Sequence, residues 1–572
     1  MEQWRADLQV FLKNKLYMFM LSLTAVCSYG FLITHQTVGI DDTPYAYYFE
    51  EGLAAIVGRW VLFLTNKVFH ISDFSPFITD LAGVLILMAA VTIWCSLLYS
   101  ILRERVPMWG YMFFSCIFLS CPLISEVYTY YLHNGISIGY LCTGISLCFY
   151  REMLERLSDR HRALLCGVGT AGLLWIAMGC YESFMIVWLL GVLLMLLTER
   201  YAGMSRKMFW ALCAGAAAAV AAIILRGIMS AAVVAVFRLG DMRGEAVHRS
   251  VTEILSWVFE PGASAEFHMA LKRVFIMYGV FAYAYYPILI FVLAAAVMVL
   301  CALCRAVMKR DVWSLLLTVG CFLASFLLVI IEGSVTLYRS AQFLPVICAY
   351  GAFLTAFIVS GLRIPGLFDG SSQEGKMERV RAKRGKSGRM ACRLCNMLTV
   401  SALCVILWNQ CFDMNRWFYI DYLKYEYAKE VIREVAYELE KNYDTSKPVA
   451  FTGTYLTPRS IIGDAYVAFN TDTFYAMRRL AGMVDEQLLE KYDREYGVWV
   501  VQTPSLSVIE WGRTAFGDDS ELIRFFAMHG YELNALTDAQ MYTTAEEYSV
   551  NLPRFPAEGS VVDMGEYIIV HF

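Results

Sequence analysis

Charged residues are scarce in this sequence: Asp, Glu, Lys and Arg make up 17% of 572 residues, where a soluble domain carries about a quarter. The 47 basic and 51 acidic residues leave a net charge of −4 and a pI near 6.1. No cationic reservoir is therefore available to hold nucleic acid. Thirteen Pro and 39 Gly are too few and too scattered for collagen or a low-complexity chain. Cysteine is absent after Cys411, so the last part of the chain is not a disulfide-stapled scaffold. Also missing are a complete GxxxxGK[ST] P-loop, an HExxH pair and a dinucleotide fingerprint opening a βαβ unit, which leaves nucleotide-driven pumping and soluble-cofactor chemistry without support.

What is abundant is apolar sequence. Hydrophobic residues make up 58% of the chain and the mean hydropathy is +0.52, the composition of a polytopic α-helical membrane protein. A hydrocarbon core needs roughly 17–25 apolar residues per crossing. Runs at 17–33, 81–102, 108–119, 136–149, 164–178, 185–197, 208–225, 274–303, 313–331, 343–359 and 397–408 give about eleven spans, some of them short. Basic residues mark every second connection: Arg103 and Arg105, then 151–162, 200–207, 305–310 and 363–393. By the positive-inside rule these face the cytoplasm together with the N-terminus. The first loop, 34–80, and everything after 412 then lie outside. No small-residue cleavage site follows the first run, which reads as a retained signal anchor.

Three regions follow: a multi-span domain over 1–412, a basic cytoplasmic loop over 363–395, and an exported soluble α/β domain over 413–572. The loop contains SSQEGKMERVRAKRGKSGR, a polar cationic stretch suited to a linker touching anionic headgroups. In the exported part, 419–443 has helical spacing, PVAFT at 448–452 and GVWVV at 497–501 are β-rich, 522–529 is helical, and 560–572 reads as a hairpin turning near Gly565. Two CxxC pairs, Cys301/Cys304 and Cys392/Cys395, have spacing that zinc can use, but cysteine at span ends is more often a small apolar residue.

Candidate chemistry gathers in the exported loops. Val38-Gly39-Ile40-Asp41-Asp42 places two adjacent carboxylates just beyond the first run. Carboxylates beside hydrocarbon are costly, and adjacent like charges push their pKa values apart, so one of them can serve as a general base; a solvated loop pair is the plainer alternative. Residues 50–69 put Leu53, Ile56, Val57, Trp60, Val61, Leu64 and Val68 on one helical stripe, with Arg59 and Trp60 at headgroup depth. Such an interfacial helix suits a substrate presented from the bilayer, or simply packs on the spans.

Residues 226–273 carry Arg226, Arg238, Arg243, Arg249, Lys272 and Arg273 on the outer side, where arginines can hold a phosphate headgroup by bidentate bonds. Acidic residues share that loop, so internal pairing is the alternative. Arg339 stands alone in a short outer turn (EGSVTLYRSAQ). Tyr181 and Glu182 occupy another tight turn, and Glu126, Tyr128, Tyr130, Tyr131, His133 and Asn134 crowd a third. Mixed aromatic and polar groups can stack on and hydrogen-bond a sugar, or form an ordinary interfacial belt.

Taken together, the first run leading into VGIDDTPYAYY at 38–48, Gly58-Arg59-Trp60, CYESF at 180–184, Leu337-Tyr338-Arg339 and the ending LPRFPAEGSVVDMGEYIIVHF resemble the GtrII family of membrane glucosyltransferases, within the GT-C class. The resemblance implies a GT-C-like helical fold and transfer of a hexose, glucose in particular, from a polyprenyl-phosphate donor to a cell-surface glycan or lipid-linked acceptor on the outer face. It makes Asp41 or Asp42 the base, sets Arg339 and Arg59 on the leaving phosphate, and requires neither metal nor cofactor, since a lipid phosphate is already a good leaving group. Two other readings stand beside it. One is a transporter or flippase of a lipid-linked glycan, which concentrates charge at the bilayer midplane; the other is a non-catalytic wall-polymer binding or assembly protein, indifferent to loss of Asp41 and Asp42.

Overall fold

The computed structural model describes residues 2–39, 52–56, 58–69, 75–128, 134–204, 207–239, 256–259, 262–265, 267–268, 271, 288–332, 340–361, 386–462, 507–510, 512 and 521–572. Up to residue 442 the described elements are helical. In chain order the helices are α1 Glu2–Leu12, α2 Lys15–Thr34, α3 Gly52–Ile56, α4 Trp60–Phe69, α5 Pro76–Leu102, α6 Met108–Leu119, α7 Leu123–Tyr128, α8 Asn134–Glu155, α9 Arg160–Cys180, α10 Phe184–Tyr201 and α11 Met208–Val236. They continue as α12 Ile288–Lys309, α13 Val312–Ser325, α14 Leu327–Glu332, α15 Leu344–Gly361 and α16 Lys386–Asn442.

Among the described residues, eight helices are long and apolar enough to cross a membrane, and two shorter apolar helices, Val312–Ser325 and Leu344–Val359, accompany them. About eleven spans were expected. The expected run at 136–149 lies inside α8, whose Ser, Thr, Arg and Glu residues leave it more polar than the eight, and the run at 274–303 begins outside the described residues. Leucines, valines and aromatics such as Phe19, Val26, Leu164, Trp210, Ile228, Leu300 and Trp408 stay exposed on the outside of the helices, the apolar surface a bilayer covers. The protein is membrane-embedded and mostly helical.

The interior is held by more than apolar contact, because hydrocarbon outside the bundle gives helices little reason to associate. Buried tyrosines reach across helices instead. Tyr29 Oη donates to the Leu119 carbonyl at 2.7 Å, Tyr140 Oη to the Gln342 carbonyl at 2.6 Å, and Tyr17 Oη meets Ser115 Oγ at 2.8 Å. At the ends of α10, α12 and α13, Asp311 takes bonds from Arg200 and Arg305, each at 2.7 Å, and from Ser314 at 2.8 Å. Burial pushes the Asp311 carboxyl up, but these donors outweigh it and hold it down at about 2.

The interfacial helix expected over 50–69 is two helices. Gly58 takes φ +83°, a conformation that favours glycine. Its N–H bonds the Ala55 carbonyl at 3.0 Å and the Arg59 N–H bonds the Ala54 carbonyl at 2.8 Å, the bond pair that closes a helix at a left-handed glycine. Chain direction changes there, and Arg59 accepts the first bond of α4, from Phe63 N–H.

A second difference concerns 397–443. The apolar run and the charged helix after it were read as separate elements, but both belong to α16. Its residues 391–442 contain neither Pro nor Gly, so nothing stops the hydrogen-bond ladder when the composition changes. Its far part presents Ala428, Val431, Ile432, Val435, Ala436 and Leu439 as one buried stripe, the spacing of a helix face. That stripe covers a four-stranded sheet, order β2-β1-β4-β3, made of β1 Pro448–Thr452, β2 Asn534–Ala535, β3 Val561–Asp563 and β4 Ile568–His571. Strand β1 runs parallel to β2 and β4, and β3 and β4 form the expected hairpin with Gly565 at φ +90° in its turn. Residues 497–501 lie outside the described residues.

Lys424 of α16 is joined to Glu510 at 2.6 Å, with side chains only 2% and 3% exposed. Glu510 also accepts the amides of Thr457 at 3.0 Å and Ser507 at 2.9 Å. Burial alone pushes the Glu510 carboxyl up, yet the Lys424 ammonium and these amides outweigh it and hold it below the usual carboxylate range. A group depressed in this way stabilises fully above its ordinary value of about 4.3 and loses that contribution as pH falls through its lower folded value. Glu510→Gln, which strands the ammonium, is expected to cost about 3–5 kcal/mol near neutral pH. Melting of the purified protein checks this: the gap between wild type and variant should be widest at pH 7 and narrow below pH about 4.3.

Candidate functional site

Of the residues singled out in the sequence, Asp41, Asp42, His133 and Arg339 lie outside the described residues, as does the side chain of Glu126, whose backbone belongs to α7. The structure describes residues that flank them in sequence. The start of the first loop is anchored. His35, the residue closing α2, stacks on Phe31 at 3.9 Å and meets Tyr422 of α16 edge-on at 5.1 Å. Two residues on, Thr37 Oγ1 donates to Asp421 Oδ2 at 2.8 Å. The approach to Asp41 and Asp42 is thus fastened to the long helix. Between Leu32, Thr34 and Gln36 on this side and Pro76, Phe77 and Asp80 on the other lies a cavity of about 290 Å³.

The loop's middle helices dock elsewhere. Ala54, Ala55, Trp60, Val61, Leu62 and Phe63 bury against Cys180 of α9 and Val233 of α11. Trp60 lies 4.8 Å from Trp175, ring to ring. This approach needs Gly179: a Cβ there would sit 2.6 Å from Trp60 Nε1 and 2.7 Å from Val61 Cγ2. Trp60 thereby fixes its neighbour Arg59 over the turn that joins α9 to α10.

Four of the expected residues meet at that turn. The Arg59 guanidinium lies 4.1 Å above the Tyr181 ring, a cation–π contact. Arg59 Nε and an Arg226 terminal nitrogen each stand 3.6 Å from the same atom, Glu182 Oε2. Their side chains are 29%, 24% and 39% exposed, so the group is sunken and open on one side. Among the described residues, two guanidinium charges face one carboxylate. Arg59 Nε, Arg226 Nε and Glu182 Oε2 are all buried atoms with no hydrogen-bond partner among the described residues. Such an arrangement suits an added anion that offers several acceptor oxygens, because guanidinium forks match phosphate geometry.

One residue went unnoticed in the sequence. Gln342 stands three residues beyond Arg339 and is 2% exposed. Its Oε1 accepts from Ser183 Oγ at 2.8 Å, its carbonyl takes the Tyr140 hydroxyl, and its Nε2 has no partner among the described residues. It ties the segment carrying Arg339 to the residue following Glu182. The only signal was an amide between apolar residues at the head of a span.

Two short patterns carry no chemistry here. GISIG at 135–139 has nucleophile-elbow spacing, but Ser137 is buried within α8 and bonded to Tyr128, with no strand before it. GVGTAG at 167–172 lies inside α9.

The sequence matches the family model described as Glucosyl transferase GtrII over residues 30–356, more than half of the chain, and the chain belongs to that family. No curated protein and no solved structure matches it. The matched span opens just before the first loop and closes just after Gln342, so it contains every residue of the arginine cluster.

Replacing Gly179 tests whether Trp60 places Arg59. Gly179→Val overpacks the contact and should cost about 1–3 kcal/mol. Quenching of the Trp60–Trp175 pair and the melting temperature are the readouts, and both should shift, whereas Gly172→Ala, in open space on the same helix, should leave both unchanged.

Proposed function

We propose that this member of the GtrII glucosyl transferase family moves glucose from a polyprenyl-phosphate donor to a glycan or lipid-linked acceptor at the outer face of the cell membrane. The observation that carries the reading is the meeting of Arg59, Arg226, Tyr181 and Glu182 at a sunken point where, among the described residues, two guanidinium groups face one carboxylate. In this scheme the acceptor hydroxyl oxygen attacks the anomeric carbon, and its proton passes to Asp41 or Asp42. The bond from that carbon to the phosphate oxygen breaks, and the electron pair leaves on the polyprenyl phosphate. Arg59, Arg226 and Arg339 neutralise the charge that develops there, an effect of preorganised donors worth several kcal/mol in a dry site. Tyr181, Glu182, Glu126 and His133 line the sugar.

The architecture belongs to this proposal as well: a GT-C-type bundle of eleven spans, the N-terminus and the basic 363–395 loop in the cytoplasm, and 413–572 as an exported domain over the site. The Thr37–Asp421 bond supports that role, since it links the entrance of the first loop to the helix that also carries the sheet.

Transfer of labelled glucose from synthetic polyprenyl-phosphate-glucose in proteoliposomes tests the reading. Asp41→Asn or Asp42→Asn should lower turnover by about 10²–10⁴-fold if that residue is the base. Arg226→Ala should lower it by about 10²-fold or more. Full activity in both aspartate variants sinks the assignment of the base; lipid movement across the bilayer without any transfer replaces the enzyme with a transporter.

A further inference from the structure

Among the described residues, Asp311 and Glu182 each stand between two arginines, and the two sites are built differently. Asp311 is closed: both arginines bond it at 2.7 Å, Ser314 adds a third donor, and the side chain is 3% exposed. Glu182 is open: both arginines stand off at 3.6 Å, no hydroxyl among the described residues supports it, and it is 39% exposed. Charge-assisted bonds settle at about 2.7–2.9 Å, a distance the Asp311 site reaches and the Glu182 site does not. The guanidiniums around Glu182 therefore keep unspent donors, Nε of Arg59 and Nε of Arg226 among them. Glu182 also stands in the short link between α9 and α10, so its side chain can swing outward while Ser183, bonded to Gln342, keeps the backbone in place.

We propose that Glu182 is a displaceable counter-ion for a phosphate monoester: it neutralises part of the arginine pair when the site is vacant, yields when the phosphate docks, and drives the phosphate out again by repulsion. The inference rests on the proposed reading of Arg59 and Arg226 as the phosphate site, and it adds direction to it. A polyprenyl-phosphate sugar is a phosphodiester with one negative charge, whereas the freed carrier is a monoester whose charge near neutral pH is about −1.5 to −2. The displaced carboxylate stays on the same short link, close to either species, and repels the more highly charged one more. Glu182 thus weakens product binding more than donor binding, and turnover gains from faster release.

Binding measurements on the full-length protein in nanodiscs test this without relying on turnover. Undecaprenyl phosphate is the probe, undecaprenol the neutral control, and inorganic phosphate in solution the free-anion arm. Glu182→Gln should bind undecaprenyl phosphate roughly three- to tenfold more tightly than wild type, the scale of one partly exposed ion pair, and Glu182→Asp, which keeps the charge, should stay near wild type. Arg226→Ala should bind it more weakly. Unchanged or weaker binding by a folded Glu182→Gln, with Arg226→Ala weakened, overturns the counter-ion role and leaves the phosphate site standing. Unchanged binding in both Arg59→Ala and Arg226→Ala overturns the phosphate site itself. Binding of the lipid phosphate alone assigns the site to the carrier; equal binding of inorganic phosphate overturns that assignment in favour of a free anion.

Discussion

A charge inside an apolar bundle has to meet its opposite, and this requirement organises the described parts of the protein. Leaving one buried ion without its partner costs several kcal/mol, and the sequence carries few charges to begin with. Several enclosed charges pair across elements: Arg151 with Glu199 at 3.4 Å, Arg200 and Arg305 with Asp311, Lys424 with Glu510. These sets join separate elements, such as Arg200 to Asp311 and Lys424 to Glu510. The structural charges are thus used up in holding helices together. The group at Arg59, Glu182 and Arg226 has the same two-to-one composition as the Asp311 set but differs in distance and exposure, with both arginines at 3.6 Å and the carboxylate 39% exposed, and the proposed phosphate site rests on that difference.

The same constraint explains how the site is assembled. Arginine carries a long flexible stem, and a guanidinium aimed at one point needs a rigid base. Arg59 receives it from both sides. Gly58 ends α3 and turns the chain, and Trp60, seated against Gly179 and Trp175, pins the start of α4. Arg226 comes from a long helix, and Tyr181 and Glu182 from a turn whose next residue is bonded to Gln342. No single element supplies more than part of the group, so its geometry depends on the docking of the loop helices onto α9 and α11.

Hydropathy made the helical membrane character legible, and turn chemistry made the terminal hairpin legible, because both signals are local and repeat along the chain. The stripe over 50–69 misled, since a periodic pattern says nothing about one glycine with positive φ in its middle. The change of composition after residue 412 looked like a boundary, but a helix continues for as long as nothing in its backbone stops it, and α16 contains neither Pro nor Gly where the change falls. Arg59, Tyr181, Glu182 and Arg226 were each visible as polar residues between or near the ends of apolar runs. Their meeting was not, because it depends on the packing of Trp60 against a glycine far away in sequence. Gln342 escaped notice because an amide becomes informative only when its partners are known.

The long helix gives the arrangement a further consequence. At about 1.5 Å per residue, its 57 residues extend about 85 Å, while a hydrocarbon core is about 30 Å thick. Only part of α16 can be embedded, and the rest must carry its buried stripe, and the sheet packed on it, away from the bilayer. Yet Tyr422 and Asp421, just before that stripe, hold His35 and Thr37 at the entrance of the first loop. Two residues beyond Tyr422, Lys424 is locked to Glu510 of the sheet-bearing part. Within a single helical turn, α16 therefore grips the approach to Asp41 and Asp42 on one side and the C-terminal cluster on the other. A rigid helix allows little independent motion between two such grips, so a displacement of the C-terminal cluster is transmitted to the approach of the loop.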